Sequence, residues 1–439
     1  MAAASRASRG AGAEAIYRRL ARNSAFLAAG TAASSLFVML AVILSARALS
    51  PAEFGRLVLF QSATLMAASL VSFSTQQPLV KLGAIALAGA DWARVGRLIG
   101  LGLLLDALAG TAGCIAAFSV IGLAGRWIGI GPADFPVAAA FAGSLLFTGY
   151  WTANGIFRLL DRFGILSLLQ AGCAAAVLAA TFCLWRAGAG LAAYCWAWAI
   201  FYALNSQLPL AVAMILARRA GISISLPRPG IDREEIRTFL AYCWTTWGMA
   251  SVEALRTNGD SLLVGAAVSV EAAGVYNVAR QIAGVLRKFS AVYASAAFPE
   301  ISAMSAHGEQ ENAMRVKKRM LWLTGAGGAL AITAAALFGP ALLRLLFTPH
   351  FQHASMPLVI LTGAASAQLI SHTLSMYVQV YIGPEKLFRL YALALIPFVM
   401  GVLPLTFALS ISGTALAQLM SSIALIILCD RALRTHHAA

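Results

Sequence analysis

The stretch Ser24–Ala46 reads SAFLAAGTAASSLFVMLAVILSA and contains no ionisable side chain. A helix needs about 20 mainly apolar residues to cross the hydrocarbon core of a bilayer. This run is longer than the apolar region of a signal peptide, which has about 7–15 residues, and a second apolar run follows at 57–80. The stretch therefore predicts a membrane-spanning helix that remains in the protein.

The composition of the whole chain agrees with this prediction. Hydrophobic residues make up 60% of the 439 residues and charged residues only 11%, whereas a soluble domain has about 25% charged residues. A soluble fold of this size cannot bury so much apolar surface. We therefore predict an all-α integral membrane protein. This excludes a cytoplasmic enzyme and a nucleic-acid binder, despite the net charge of +15.

Apolar runs predict about 12 transmembrane helices along the chain. The predicted spans are 24–46, 57–80, 98–123, 135–157, 163–185, 190–217, 238–260, 272–298, 320–341, 354–382, 387–408 and 411–429. With the N-terminus inside, 23 Lys and Arg residues fall on the cytoplasmic side and five on the outer side. This bias predicts that both termini are cytoplasmic, because positive residues are retained on that side.

A weak internal repeat relates the two halves of the chain. Residues 48–57 (ALSPAEFGRL) and 267–276 (AVSVEAAGVY) are 219 positions apart, and the alignment matches Ser50 with Ser269 and Gly55 with Gly274. Each segment follows the first span of a six-span half. Because six is even, both halves enter the membrane in the same sense, which predicts two six-helix bundles related by a parallel pseudo-two-fold repeat.

The predicted organisation follows from the spans and the repeat. It comprises a basic cytoplasmic N-terminus (1–23), an N-terminal bundle (24–217), a cytoplasmic linker (218–237), a C-terminal bundle (238–429) and a cytoplasmic tail (430–439). No loop is long enough to form a catalytic domain. We therefore expect no enzyme activity, no catalytic residue, no cofactor and no metal site.

Ionisable side chains within the predicted spans are costly and usually face an interior cavity. In span seven, Glu253, Arg256 and Asp260 lie at i, i+3 and i+7 and share one helix face, while Asn258 points off that face. Arg256 can pair with Glu253 or with Asp260. In span eight, a second polar stripe follows one face. It consists of Asn277, Arg280, Gln281, Arg287 and Lys288.

These stripes allow two interpretations. They could line a solvated, net positive substrate cavity that attracts an anionic group, because the guanidinium fork suits phosphate. They could equally be structural pairs that fix helix packing. Arg287 and Lys288 could instead extend toward the cytoplasmic interface. Glu253, Asp260 and the isolated Asp106 of span three are candidates for ion or proton coupling, and Asp106 could also be a hydrogen-bonded structural residue.

Four segments resemble motifs of bacterial polysaccharide flippases. Residues 46–59 (ARALSPAEFGRLVL) resemble the signature that follows the first span of that family, with Ser50 at a usual glycine. Residues 258–279 (NGDSLLVGAAVSVEAAGVYNVA) resemble its second-half pattern, with Val264 at a usual Leu or Ile. The segments 298–302 (FPEIS) and 345–351 (LLFTPHF) resemble two further motifs. The chain thus resembles the O-antigen and polysaccharide flippases of the multidrug/oligosaccharidyl-lipid/polysaccharide exporter superfamily.

The resemblance implies a V-shaped pair of bundles around a central cationic cavity. It implies alternating-access flipping of an undecaprenyl-pyrophosphate-linked oligosaccharide across the bacterial inner membrane, for O-antigen in lipopolysaccharide, for capsule or for exopolysaccharide. The partners it implies are that lipid, the membrane lipids, and a polysaccharide polymerase with its glycosyltransferases. No nucleic acid is expected.

Two other classes of function remain open. A multidrug or cation antiporter of the same superfamily would favour an acidic cavity, whereas the predicted spans hold four cations and three carboxylates. A membrane enzyme acting on lipid-linked glycans would need a sizeable outer loop with catalytic residues. The longest predicted outer loop has about a dozen residues.

Overall fold

The computed structural model of the protein describes residues 29–124, 134–147, 149–226, 233–306, 310–347 and 349–438. The predicted basic N-terminus (1–23) and residues 227–232 of the predicted linker lie outside these ranges. Within them, every regular element is a helix. The helices are α1 (Ala29–Ala48), α2 (Pro51–Val71), α3 (Gln76–Ala88), α4 (Trp92–Ala124), α5 (Phe135–Ser144), α6 (Tyr150–Leu159), α7 (Phe163–Arg186), α8 (Leu191–Arg219), α9 (Arg233–Ala267), α10 (Val270–Ala306), α11 (Gln310–Leu346), a 3₁₀ helix (Pro349–Ala354), α12 (Ser355–Tyr381), α13 (Pro384–Leu409) and α14 (Ile411–Ala438).

The prediction of an all-α membrane protein is confirmed. Among the described residues, nine helical segments are long and apolar enough to cross a membrane. Two further helices, α9 and α10, have 35 and 37 residues and carry the interior charges. They are long enough to span a bilayer at 1.5 Å per residue, although their charges lower their hydropathy.

Two predicted spans are wrong as continuous helices. The predicted span 57–80 contains a break at residues 72–75, between α2 and α3. The predicted span 135–157 contains a break between the end of α5 at Ser144 and the start of α6 at Tyr150. The second break includes Gly149 at φ +133°, a conformation that L side chains rarely adopt. Apolar residues continue into the second break, so hydropathy alone does not reveal it, whereas three hydroxyl residues mark the first break.

The internal repeat is visible in the backbone. Helix α1 ends at Ala48 and α2 begins at Pro51, while α9 ends at Ala267 and α10 begins at Val270, so both turns lie at equivalent positions. Each turn uses the equivalent serine as an N-cap. The Ser50 hydroxyl accepts from the backbone N–H of Glu53, and the Ser269 hydroxyl accepts from that of Ala272. Both bonds satisfy a free N–H in the first helical turn.

The two halves, α1–α8 and α9–α14, meet where α2 crosses α10. A Cβ atom placed on Gly55 would lie 2.0 Å from the carbonyl oxygen of Val270, and one placed on Gly274 would lie 3.3 Å from the Cα of Gly55. The two repeat-related glycines therefore bring the backbones into direct contact. We call this contact the outer crossing, because the charge bias predicts that the α1–α2 and α9–α10 turns lie on the outer side.

Further contacts between the halves surround the outer crossing. The Phe54 ring packs edge-on against Phe351, with 5.7 Å between the ring centroids. The Arg47 guanidinium donates to the carbonyls of Leu345 and Leu346 at the end of α11. A cation at the C-terminal end of a helix also interacts favourably with the helix dipole. The ends of the two halves at the α1–α2 and α9–α10 turns are thus held by apolar, polar and backbone contacts together.

Candidate functional site

A cavity of about 350 Å³ lies beside both helix breaks of the N-terminal half. Its walls come from α2, α4, the α5–α6 break and α8, and Ala250 of α9 reaches it from the C-terminal half. Side-chain hydroxyls are frequent in the lining. They belong to Thr64, Ser69, Ser72, Ser74, Ser144 and Ser206. Aromatic rings form much of the remaining wall. They belong to Phe147, Tyr150, Trp151, Phe201 and Tyr202.

Asp106 joins the two breaks at the edge of this cavity. Its side chain projects from α4 and is 4% exposed. One carboxylate oxygen accepts from the Thr75 hydroxyl at 3.1 Å, and the other accepts from the backbone N–H of Thr152 at 3.1 Å. The hydroxyls of Thr75 and Thr152 are 3.0 Å apart. One carboxylate therefore ties together three helices.

The position of this carboxylate follows from helix electrostatics. Thr75 is the N-cap of α3, and Thr152 lies in the first turn of α6. Helices α3 and α6 thus both begin beside the Asp106 carboxylate. The free N–H groups at a helix start favour a negative charge. Broken helices whose ends face a polar cavity also occur at the substrate and ion sites of transporters.

The end of α2 is held by a residue of the other half. Trp247 of α9 donates from its ring nitrogen to the carbonyl of Leu70 at 2.8 Å, and its ring packs near Phe73. The Leu70 carbonyl is in the last turn of α2 and has no partner within that helix. The break between α2 and α3 is therefore supported from the C-terminal half.

Asp260 and Arg280 form a buried ion pair between α9 and α10. Their side chains are 3.2 Å apart, and their exposed fractions are 0% and 10%. The Tyr276 hydroxyl donates to the second oxygen of Asp260 at 2.9 Å. Arg280 also donates to the Asn277 side chain and to the Thr257 carbonyl. Tyr202, which lines the cavity from α8, lies within electrostatic range of Arg280.

Arg256 and Glu253 form a separate pair inside the C-terminal half. The guanidinium of Arg256 is 2.8 Å from the Glu253 carboxylate and donates to the Ser422 hydroxyl of α14 at 2.9 Å. Gln368 of α12 donates to the same carboxylate at 2.9 Å. This pairing, one of the two predicted for Arg256, holds α9 against α12 and α14.

The shared polar face of span seven is therefore divided in the structure. Asp260 interacts with α10, whereas Glu253 and Arg256 interact with α12 and α14. The face is divided because each buried arginine pairs with a different carboxylate, Arg280 with Asp260 and Arg256 with Glu253. An unpaired charge in this environment would be costly. None of the residues predicted to form the substrate cavity is among the described lining residues of the 350 Å³ cavity. Asn258, Gln281 and Arg287 are half-buried, and the side chain of Lys288 lies outside the description.

The sequence interpretation identified Asp106 but missed its surroundings. The signals were present in Ser72–Thr75 (SFST), where three hydroxyl residues interrupt an apolar run, and in Gly149 just before Tyr150. Asn205, a polar residue in an apolar run, also lines the cavity next to Ser206.

The fold is similar to solved transporter structures. An inward-facing multidrug resistance MATE family transporter of the MOP superfamily matches with a TM-score of 0.75 and 13% identity, covering 92% of this chain and 96% of that one. The lipid II flippase MurJ in an inward closed conformation matches with a TM-score of 0.70 and 12% identity, covering 93% and 87%. The two-bundle architecture is therefore confirmed.

The sequence has relatives as well. The inner membrane protein YghQ of Escherichia coli (strain K12) is 23% identical over 336 residues, which is 76% of this chain and 94% of that protein. A family described as polysaccharide biosynthesis protein matches residues 20–305, the region that includes both repeat turns, Asp106 and the Asp260–Arg280 pair. This multi-pass membrane protein therefore belongs to the polysaccharide biosynthesis protein family.

Proposed function

We propose that this protein flips an undecaprenyl-pyrophosphate-linked oligosaccharide across the bacterial inner membrane by alternating access. The observation that carries the proposal is a cavity with many hydroxyl residues in its lining, to which both repeated halves contribute, in a chain of the polysaccharide biosynthesis protein family. A repeat related by an axis along the membrane normal allows one half to rock against the other. The outer crossing at Gly55 and Gly274 is then the contact that opens and closes.

The anionic head of the cargo needs a cationic contact in the proposed mechanism. Arg280 is the best candidate, because it lies near the cavity wall at Tyr202, and Arg287 lies two turns further along the same face of α10. Asn277 and Gln281 belong to this face as well, and Asn258 and Lys288 remain proposed cargo contacts. Arg256 is assigned a positioning role, since it holds helices of the C-terminal half together.

Family membership supports a place in surface-glycan assembly. We propose that a polymerase and glycosyltransferases act on the same lipid-linked glycan, whether it becomes O-antigen, capsule or exopolysaccharide. Both termini are proposed to be cytoplasmic, in line with the distribution of Lys and Arg.

Deleting the gene tests the cargo directly. Lipid-linked oligosaccharide is expected to accumulate on the inner leaflet and surface glycan to disappear, because the pyrophosphate head cannot cross a bilayer unaided. Extracted lipids and surface glycan are measured in the deletion strain and in a strain carrying a plasmid copy. Normal surface glycan and no accumulation would contradict the proposal.

A cation antiporter is the second candidate, and one observation favours it. Asp106 is the sole Asp, Glu, Lys, Arg or His among the described lining residues of the cavity, and aromatic rings lie around it. In the deletion strain, this function predicts normal glycan together with increased sensitivity to cationic dyes. The two functions therefore give opposite results in the same strain.

Asp106 is proposed to couple transport to a proton or another cation. Asp106→Asn keeps the shape of the side chain but removes its charge, so transport is expected to lose its response to an imposed ion gradient. The loss of two charge-assisted hydrogen bonds should lower the stability by about 1–3 kcal/mol.

Transport into proteoliposomes with and without a pH or sodium gradient measures this coupling. Asp134→Asn is the matched control, because Asp134 pairs with Arg56 near the start of α5 and does not line the cavity. Gradient-dependent transport by the Asp106→Asn variant would show that the carboxylate is only structural.

A further inference from the structure

The cavity of the N-terminal half has the chemistry of a site for a neutral polar ligand. Hydroxyl groups and aromatic rings predominate in its lining, and the described lining residues include no Lys, Arg or His. The Asp106 carboxylate already accepts from Thr75 and Thr152. A pyrophosphate does not fit such a lining, because no cation is among the described lining residues to pair with it. A small group with its own hydroxyls does, because small-molecule sites combine apolar walls with a few placed polar groups.

Ser206 provides independent evidence for a ligand. Its side chain is 8% exposed and lines the cavity, and its hydroxyl has no hydrogen-bond partner within the described structure. A buried polar group without a partner is unfavourable, and Ser206 differs from the other described buried serines without a partner in that it lines the cavity together with Trp151. A hydroxyl-bearing ligand would supply the missing partner. Asn205 precedes Ser206 on α8 and is half-buried at the same wall.

The aromatic wall supplies the second half of such a site. Trp151 is half-buried at the cavity, and Tyr150 packs edge-on against it with 5.3 Å between the ring centroids. A pyranose ring presents a rim of hydroxyls and an apolar face of C–H groups. The hydroxyl rim would match Ser206 and its neighbours, and the C–H face would match the indole ring. An indole combines an apolar face with a polar edge and suits such ligands.

The size of the cavity limits what it can hold. A volume of about 350 Å³ is near the lower end of ligand sites, which range from about 300 to 1,000 Å³. This volume is sufficient for one sugar ring. Arg280 of α10 is within electrostatic range of Tyr202 at one wall, so α10 is the helix that would face the phosphate substituent of a ring held there.

We propose that this cavity binds a single uncharged pyranose ring of the cargo, with Ser206 donating or accepting a hydrogen bond and Trp151 stacking on the ring. The inference rests on the proposed function and adds to it a glycan subsite in the N-terminal half. The sugar ring and the pyrophosphate are then held by different halves of the protein. When one half rocks against the other, the sugar ring and the pyrophosphate move together only if each is bound to its own half.

The test measures binding to the full-length protein in lipid nanodiscs. One probe is the lipid-linked glycan purified from the deletion strain, and the other is undecaprenyl pyrophosphate without sugar. The wild type should bind the sugar-bearing lipid more tightly. Ser206→Ala should weaken that binding about fivefold, which corresponds to one hydrogen bond, and leave the sugar-free lipid unchanged. Trp151→Leu should weaken it about tenfold.

Ser167→Ala is the matched control. Ser167 is also a buried serine whose hydroxyl has no partner, but it lies on α7 and does not line the cavity. Its replacement should change neither affinity.

Equal affinity of the wild type for both lipids would overturn the subsite. The subsite would also be overturned if Ser206→Ala left the binding of both lipids unchanged or weakened both equally. Displacement of the glycan lipid by tetraphenylphosphonium would overturn it in favour of a cation site. If the wild type binds neither lipid, the proposed function itself fails.

Discussion

Replacing Gly55 with leucine is expected to abolish glycan export while the protein still inserts into the membrane. Even a Cβ atom at this position would lie 2.0 Å from the carbonyl oxygen of Val270. Overpacking of a well-packed contact costs about 1–3 kcal/mol, and here the neighbouring atom is backbone and cannot rotate away. A cost of that size shifts the equilibrium between a closed and an open outer crossing by about 5- to 150-fold toward the open state.

The state of the outer crossing can be measured with a cysteine at Ala273, which is 0% exposed on α10 beside Gly274. A membrane-impermeant thiol reagent should label Ala273→Cys slowly, and faster when Gly55→Leu is present. Gly172→Leu on α7 is the control, because a Cβ at Gly172 meets no atom within 4 Å. It should retain export and slow labelling. Normal export by Gly55→Leu would show that the crossing does not need to close.

The repeat could be predicted because its two turns use the same local chemistry. Ser50 and Ser269 each cap the following helix. N-capping depends only on a few neighbouring residues, so the two turns have similar sequences. The direct contact of Gly55 with α10 could not be predicted from the same alignment. It depends on how two distant segments pack, and a glycine in a sequence does not identify its neighbour.

The helix breaks and the arginine partners show two other limits of the sequence. The break before Gly149 lies within an apolar run, and hydropathy measures composition and not continuity of the helix. The periodicity of span seven placed Glu253, Arg256 and Asp260 on one face, which a straight helix requires. A face about 100° wide can still contact several neighbours, and in the structure those neighbours are α10, α12 and α14.

Asp106 shows how a correct residue can be identified without its role. An isolated carboxylate in an apolar helix indicates either a functional group or a satisfied structural one. Its partners, Thr75 and Thr152, are 31 and 46 residues away in sequence. They become neighbours only because the α2–α3 and α5–α6 breaks lie side by side in the folded protein. The position of one break relative to the other cannot be read from the sequence.

Removing Asp260 alone is expected to destabilise the protein strongly, because it leaves the Arg280 guanidinium buried without a counter-ion. Breaking a buried pair by removing one partner costs about 3–5 kcal/mol. Asp260 is 0% exposed, so water cannot compensate. The single variant Asp260→Ala should therefore show a lower melting temperature and a lower level in the membrane. Loss of export in that variant, or in the Arg256→Ala, Arg280→Ala double variant, cannot distinguish folding from cargo binding.

The neutral double variant Asp260→Asn, Arg280→Gln separates the two roles. It leaves no unpaired charge, so its stability should return to within about 1–2 kcal/mol of the wild type. Export should nevertheless remain absent, because no cation near Tyr202 would then contact the pyrophosphate.

The control is Glu253→Gln, Arg256→Gln, which neutralises the other buried pair of α9 in the same way. It is expected to keep export, since Arg256 faces α14 and not the cavity. Both double variants are compared for melting temperature, membrane level and surface glycan. A stable Asp260→Asn, Arg280→Gln variant that exports glycan would show that Arg280 serves only to pair α10 with α9, and the cationic contact would then have to come from Arg287 or Lys288.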